Sequence, residues 1–222
     1  MIGRAFLLAG AAALLSACGI PQGQQRAPSS SPRPAAVSPE AQLCLAGLGE
    51  TGSRFSPLPD RYYGAGCAAV NAVQLSAVRG DRAAFDIANI GPLECPTAAA
   101  FAGWARYGVD RAARQMLGSA LVRIETMGSY SCRDVAGTGR RSAHARGAAV
   151  DVAAFILADG RRIAVAEGWA GGSEAERGFL RTVHASACKR FGTVLGPDYN
   201  AAHRDHFHLE LVAADNAAAF CR

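Results

Sequence analysis

From residue 97 to residue 212, apolar positions recur with two periods, and the change of period separates helices from strands. Thr97 reads as an N-cap for AAAFAGWARYGVDRAARQMLG (98–118), a helix-forming stretch that Gly103 or Gly108 can divide in two. LVRIET (121–126) has strand character and runs into the turn-rich GSYSCRD. AAVDVAAFILA (148–158) reads as a strand, Asp159-Gly160 as a hairpin turn, and RRIAVA (161–166) as the returning strand. Phe179, Leu180, Val183, Ala187 and Phe191 fall at helical spacing within 174–191, whereas HFHLELV (206–212) alternates cleanly. This mixture predicts an α+β fold, a small antiparallel sheet with flanking helices rather than a parallel wound sheet.

The start of the chain has a different character. Arg4 precedes an apolar run, Ala5–Leu15, that is too short to span a bilayer and reads as a secretory signal. It ends in Leu15-Ser16-Ala17-Cys18, which resembles a bacterial lipobox; residues 1–17 are then a lipoprotein signal peptide and Cys18 the lipidated first mature residue. Gly19 at the next position is similar to lipoproteins sent to the outer membrane, with the protein facing the periplasm. Residues 18–40 are rich in Pro, Ser, Gln and Gly, and they hold too little apolar surface to offset the entropy of ordering. They are expected to form a disordered tether, leaving 41–222 as one domain large enough for a core.

Cysteine usage agrees with export. Apart from Cys18, the chain carries Cys44, Cys67, Cys95, Cys132, Cys188 and Cys221, widely scattered and without a CxxC pair. Disulfides fit better than zinc ligation, and the sequential pairing 44–67, 95–132 and 188–221 is the expectation among the many possible sets. The formal charge of +5 is carried by arginines and Lys189, interspersed with acids. Nucleic-acid binding needs a clustered basic footprint, so that class is excluded, and a monomer is expected.

The candidate chemistry lies in SAHARGAAVD (142–151) and HRDHFH (203–208). A catalytic zinc takes three His or carboxylate ligands and leaves a position open. His144, Asp151 and one histidine of the later cluster supply such a set. Strand alternation turns His206, His208 and Glu210 to one face and Phe207, Leu209 and Leu211 to the other. A strand likewise turns Asp151 away from Val150 and Val152, with small Ala149 and Ala153 beside it, while Gly147 lets the chain turn closely between His144 and Asp151. His203, three residues from His206, is expected near the site on the opposite face, and His184 is expected to be structural.

SAHARGAAVD followed by HFH resembles the zinc peptidases that cleave D-alanyl bonds in peptidoglycan, the D-Ala-D-Ala carboxypeptidase and murein endopeptidase group. The whole of 41–222 more closely resembles bacterial extensin-like C-terminal domain proteins, through GSYSCR (128–133), SAHARGAAVD and FLRTVHASACKRFGTVLGPDYNAAHRDHFHLEL (179–211). The resemblance implies a metallopeptidase architecture, with His144, Asp151 and His208 as zinc ligands. It also implies a catalytic partner two residues before the last ligand, His206, or an acid three before it, here Asp205. Arg133 follows Ser129-Tyr130 as an arginine follows S-G-Y in the D-Ala-D-Ala enzymes, although Ser131-Cys132 intervenes. That position implies polarising the scissile carbonyl or binding a substrate carboxylate, roles a planar charged fork suits. Ser142 is expected either to support the site, by bonding substrate or ligand, or to cap its loop.

The function expected is hydrolysis of an amide in cell-wall peptides by metal-activated water, in a lipoprotein anchored through Cys18. The alternative is an envelope lipoprotein that binds the cell wall, or supports it, without turnover. No Gly-x-Ser-x-Gly motif offers a serine nucleophile.

Overall fold

The computed structural model describes residues 38–212 and 219–222; the expected signal peptide, Cys18 and the tether through residue 37 lie outside them. Ser38 opens α1 (Pro39–Glu50) by accepting the Ala41 N–H, with Pro39 at the first helical position, where its missing donor costs nothing. The segment that carries no expected element then supplies β1 (Arg54–Pro57), β2 (Arg61–Gly64), β3 (Cys67–Ala69), β4 (Ala72–Arg79), β5 (Ala84–Ala88) and β6 (Leu93–Glu94). Next come α2 (Cys95–Trp104), a π-helical stretch (Ala105–Asp110) and α3 (Arg111–Leu117), stopped by Gly118 in the left-handed region. β7 (Leu121–Gly128), a 3-10 turn (Ala143–Arg146), β8 (Ala149–Leu157), β9 (Arg162–Ala164), α4 (Val165–Gly171) and α5 (Glu174–Ala187) follow. The chain closes with β10 (Thr193–Leu195), a second 3-10 turn (Ala201–His203), β11 (Phe207–Glu210) and β12 (Phe220–Cys221). None of these helices is long and apolar enough to cross a membrane.

The class is α+β, but the sheet corrects the expectation of a small antiparallel one. It has ten strands in the order β1-β4-β5-β7-β8-β11-β10-β12, with β6 on β4 and β9 on β8. Two neighbouring pairs, β5–β7 and β10–β12, are parallel, which makes the sheet mixed. A parallel pair needs a crossover, and the continuous α2–π–α3 rod is part of the one that joins β5 to β7. β2 and β3 stand apart as a two-stranded hairpin.

Details of the rod differ from the sequence expectation. The helix starts at Cys95, with Glu94 as its N-cap, so Thr97 sits inside the first turn and is buried. Gly108 does not break the helix. A side chain there would overlap Ser186 of α5, so the glycine lets the rod and α5 approach closely. Trp104, wholly buried, donates from its indole to the Val183 carbonyl at 2.9 Å and anchors that contact. Phe101, Phe155 and Phe179 fill the core around it; each fully buried ring of this size stabilises the fold by roughly 1.5–3 kcal/mol. The expected return strand 161–166 is cut short because Val165 starts α4.

The disulfides are Cys44–Cys95, Cys67–Cys132 and Cys188–Cys221. The last matches the sequential set; the first two replace 44–67 and 95–132. The reason is packing: α1 lies along α2, whereas the β2–β3 hairpin sits beside the 3-10 turn 143–146, so each bond joins elements that are neighbours in space.

Candidate metal centre

Two strand registers and one turn bring the site together. β8 runs between β7 and β11, and Asp151 is the direct partner of His208 on one side and of Gly128 on the other. Val150 and Leu209, opposite each other on the alternate face, are fully buried and hold this register, because a slip of one residue would expose them. His144 arrives from the 3-10 turn. Ser142 caps that turn, its hydroxyl accepting the His144 N–H at 3.3 Å, which places Ser142 in the loop-capping role. Gly147 ends the turn at φ 76°, and a Cβ there would stand 2.8 Å from the Pro92 carbonyl oxygen, so the close turn expected at this glycine is present.

His144, Asp151 and His208 each offer one ligand atom, and these atoms lie within 4.8 Å of one another. His208 Nδ1 is 2.9 Å from Asp151 Oδ1, His144 Nε2 is 3.3 Å from Asp151 Oδ2, and the two imidazole nitrogens are 3.2 Å apart. Outer partners fix which nitrogen faces inward. His144 donates from Nδ1 to the Ser129 carbonyl, leaving the Nε2 lone pair toward the site. His208 donates from Nε2 to Glu210 Oε2 at 3.4 Å, leaving Nδ1 toward the site. His208 Nδ1 also donates to Asp151 in this arrangement, so the cluster is held by a proton. With that proton displaced, two nitrogen lone pairs and a carboxylate would face one point, a donor set that a bound cation would satisfy. Two imidazoles and a carboxylate suit zinc. The donor set thus fits the expected metal.

Electrostatics describe the same cluster. Burial acts against the Asp151 anion, yet hydrogen bonds and charge from His144 and His208 hold its carboxyl far below the usual range. Burial likewise opposes charge on His208, but Asp151 and Glu210 outweigh it and raise the imidazole to about 9. His208, aided by Arg146 and Arg140, keeps the Glu210 carboxyl low against its own burial.

The remaining expected residues surround this core. His206 precedes β11 rather than lying on it, with Nδ1 bonded to Asp205 Oδ1 at 2.9 Å and Nε2 3.6 Å from Asp151 Oδ1. The two alternatives for the catalytic partner are therefore one hydrogen-bonded pair. His203 lies in a 3-10 turn, so the strand argument for its opposite face does not apply; its ring is 5.2 Å from that of His206 and 5.8 Å from that of His208. Burial, with the charges of His206 and His208, lowers it to about 4. Arg133 is exposed and lies within electrostatic reach of His203, while the adjacent Asp134 pairs with Arg141 at 2.8 Å instead. His184 is away from the site, its ring against Trp169 and Phe207. Sequence reasoning placed Glu210 on the ligand face but gave it no role, and gave the Ser129 carbonyl none. The period-2 pattern could have flagged Glu210; no side-chain motif marks a backbone oxygen.

With this geometry in hand, residues 42–222 match the family described as extensin-like protein C-terminus, and the chain belongs to that family. No curated protein and no solved structure gives a significant match.

Proposed function

We propose that the protein is a zinc-dependent peptidase that hydrolyses an amide bond in peptidoglycan peptides, as the resemblance to D-alanyl peptidases implies. One observation carries the reading: His144, Asp151 and His208 each offer one ligand atom within 4.8 Å of the others, and the second ring nitrogen of each imidazole is held by an outer acceptor, the Ser129 carbonyl or Glu210. His144, Asp151 and His208 would hold the metal. Zinc held there would supply Lewis acidity for a carbonyl and for the attacking water.

The chain's own groups do the rest. Asp205 accepts the His206 Nδ1–H and so orients the ring, leaving Nε2 on the side of Asp151 to take up or return a proton. Arg133 has no carboxylate partner among the described residues, since Arg141 takes Asp134. Its fork is free to hold a substrate carbonyl or carboxylate. Tight packing of Val150, Val152, Phe207 and Leu209 beneath β8 and β11 keeps the ligands in place while substrate binds above them.

Export and anchoring through Cys18 to the outer membrane, facing the periplasm, complete the proposal; three disulfides support an oxidising compartment. The test is digestion of purified crosslinked muropeptides by the zinc-loaded full chain, with products read by mass. The expected result is loss of one peptide crosslink or one terminal residue with gain of one water. His206→Ala is expected to retain zinc while turnover falls by about 10²-fold or more. Unchanged muropeptides with a zinc-loaded native chain would overturn the peptidase reading in favour of wall binding without turnover.

A further inference from the structure

The β2–β3 hairpin lies outside the main sheet, and every residue of β2 is exposed. An isolated hairpin of this size is marginal in water, so something must hold it. Three ties do, and all lead to the segments that build the metal centre. Cys67 on β3 is bonded to Cys132. Arg141, just before the turn that carries His144, donates to the Ala65 carbonyl at the hairpin tip and pairs with Asp134. The Tyr63 ring packs on Tyr130, with centroids 5.1 Å apart and planes 36° to each other.

Tyr130 is itself clamped to a candidate ligand. On one side Ser129 accepts the His144 Nδ1–H; on the other the Ser131 N–H donates to the His144 carbonyl at 3.0 Å. The tyrosine pair is thus registered to the candidate metal centre by backbone bonds. Its outer surface is open, Tyr63 being 51% and Tyr62 76% exposed. The Tyr130 hydroxyl is buried and has no hydrogen-bond partner among the described residues, a costly state that a ligand hydroxyl would relieve. Tyr63, half exposed, can turn to admit one.

The chemistry of this shelf is selective. β2 and β3 read RYYG and CAA, so the hairpin offers tyrosine faces, a guanidinium and hydroxyls, but no large aliphatic side chain. A pyranose ring, with a C–H face to lie on an aromatic ring and hydroxyl edges to bond Tyr130, is complementary to it.

We infer that Tyr63 and Tyr130 form a subsite for a sugar ring beside the candidate metal centre, held in register by the Cys67–Cys132 bond and the Arg141 clasp. This inference rests on the peptidoglycan reading for its substrate, but it is tested without any reaction. Calorimetric titration of the native full chain with an N-acetylglucosamine tetramer is expected to give saturable binding. Tyr63→Ala should weaken it about tenfold, the size of one lost aromatic contact, and Tyr63→Phe should restore most of it. Tyr130→Phe, which removes only the hydroxyl, should also weaken it, whereas Tyr107→Ala, another exposed tyrosine, should not. Absence of saturable binding to the native chain, or equal affinity in Tyr63→Ala, overturns the subsite. Sugar binding without muropeptide hydrolysis sinks the peptidase reading and leaves the subsite standing, and hydrolysis without sugar binding does the reverse.

Discussion

Glu210 Oε2 lies 3.4 Å from Nε2 of His208, the ring nitrogen turned away from the candidate metal position. On a bound metal the carboxylate would act through the imidazole, orienting the ring and raising its basicity. Glu210→Gln keeps the shape and loses the charge. Zinc affinity, measured by competition with a chromogenic chelator, is expected to fall about 10–100-fold with the fold retained. Unchanged affinity would remove Glu210 from the account.

Gly147 connects His144 to the strand of Asp151 at φ 76°, with its carbonyl accepting the Glu94 N–H. Gly147→Ala meets both a disfavoured backbone region and the Pro92 carbonyl oxygen at 2.8 Å. The expected cost is about 2 kcal/mol or more in urea unfolding, together with weakened zinc binding, because the turn that aims His144 must shift. A variant as stable and as zinc-competent as the native chain would contradict this role.

The Cys44–Cys95 bond ties α1 to the start of α2 across a sequence separation of 51. In the chain-entropy model a loop of that length contributes about 4 kcal/mol. Replacing both cysteines by serine should therefore lower the melting temperature clearly, and peptide mapping of the native chain should recover the 44–95 and 67–132 links. Recovery of 44–67 and 95–132 would overturn this arrangement.

How much of this was legible in the sequence depends on how local the signal is. The ligand strands were readable because Val150 and Val152 flank Asp151 on one strand and Phe207 and Leu209 flank His208 on another, so each ligand faces away from the core. His144 and Gly147 were readable because a tight turn leaves its mark within a few residues. The sheet was not. Its size depends on β1, β4 and β5, whose partners are set by tertiary pairing, and no local pattern specifies which strands become neighbours. The same holds for Cys44, whose partner follows from how α1 lies on α2. His203 lies near the candidate ligands as expected, but the opposite-face argument for it fails because a 3-10 turn precedes β11 and strand periodicity stops short of it.

His184 gives a pH dependence away from the metal ligands. Burial against Trp169 and Phe207 lowers its pKa from 6.5; Asp198 and a hydrogen bond to the Arg222 backbone oppose the shift, and Arg181 adds to it. The unfolded chain takes up this proton below about pH 6.5 while the folded one does not, so stability must fall as pH drops through that window toward the folded pKa. Urea midpoints of the zinc-loaded chain at pH 7.5 and 5.5 should show that loss, and His184→Gln should reduce it. An identical pH response in the variant would rule out His184 as the source.

Everything proposed for the active centre requires a metal held by His144, Asp151 and His208. Equilibrium dialysis of the native chain and Asp151→Asn against limiting zinc, with bound metal counted by plasma mass spectrometry, addresses that requirement most directly. The account predicts a single zinc per native chain and its loss in the variant. Native chain that retains no zinc, or a variant that retains as much as the native chain, would contradict it.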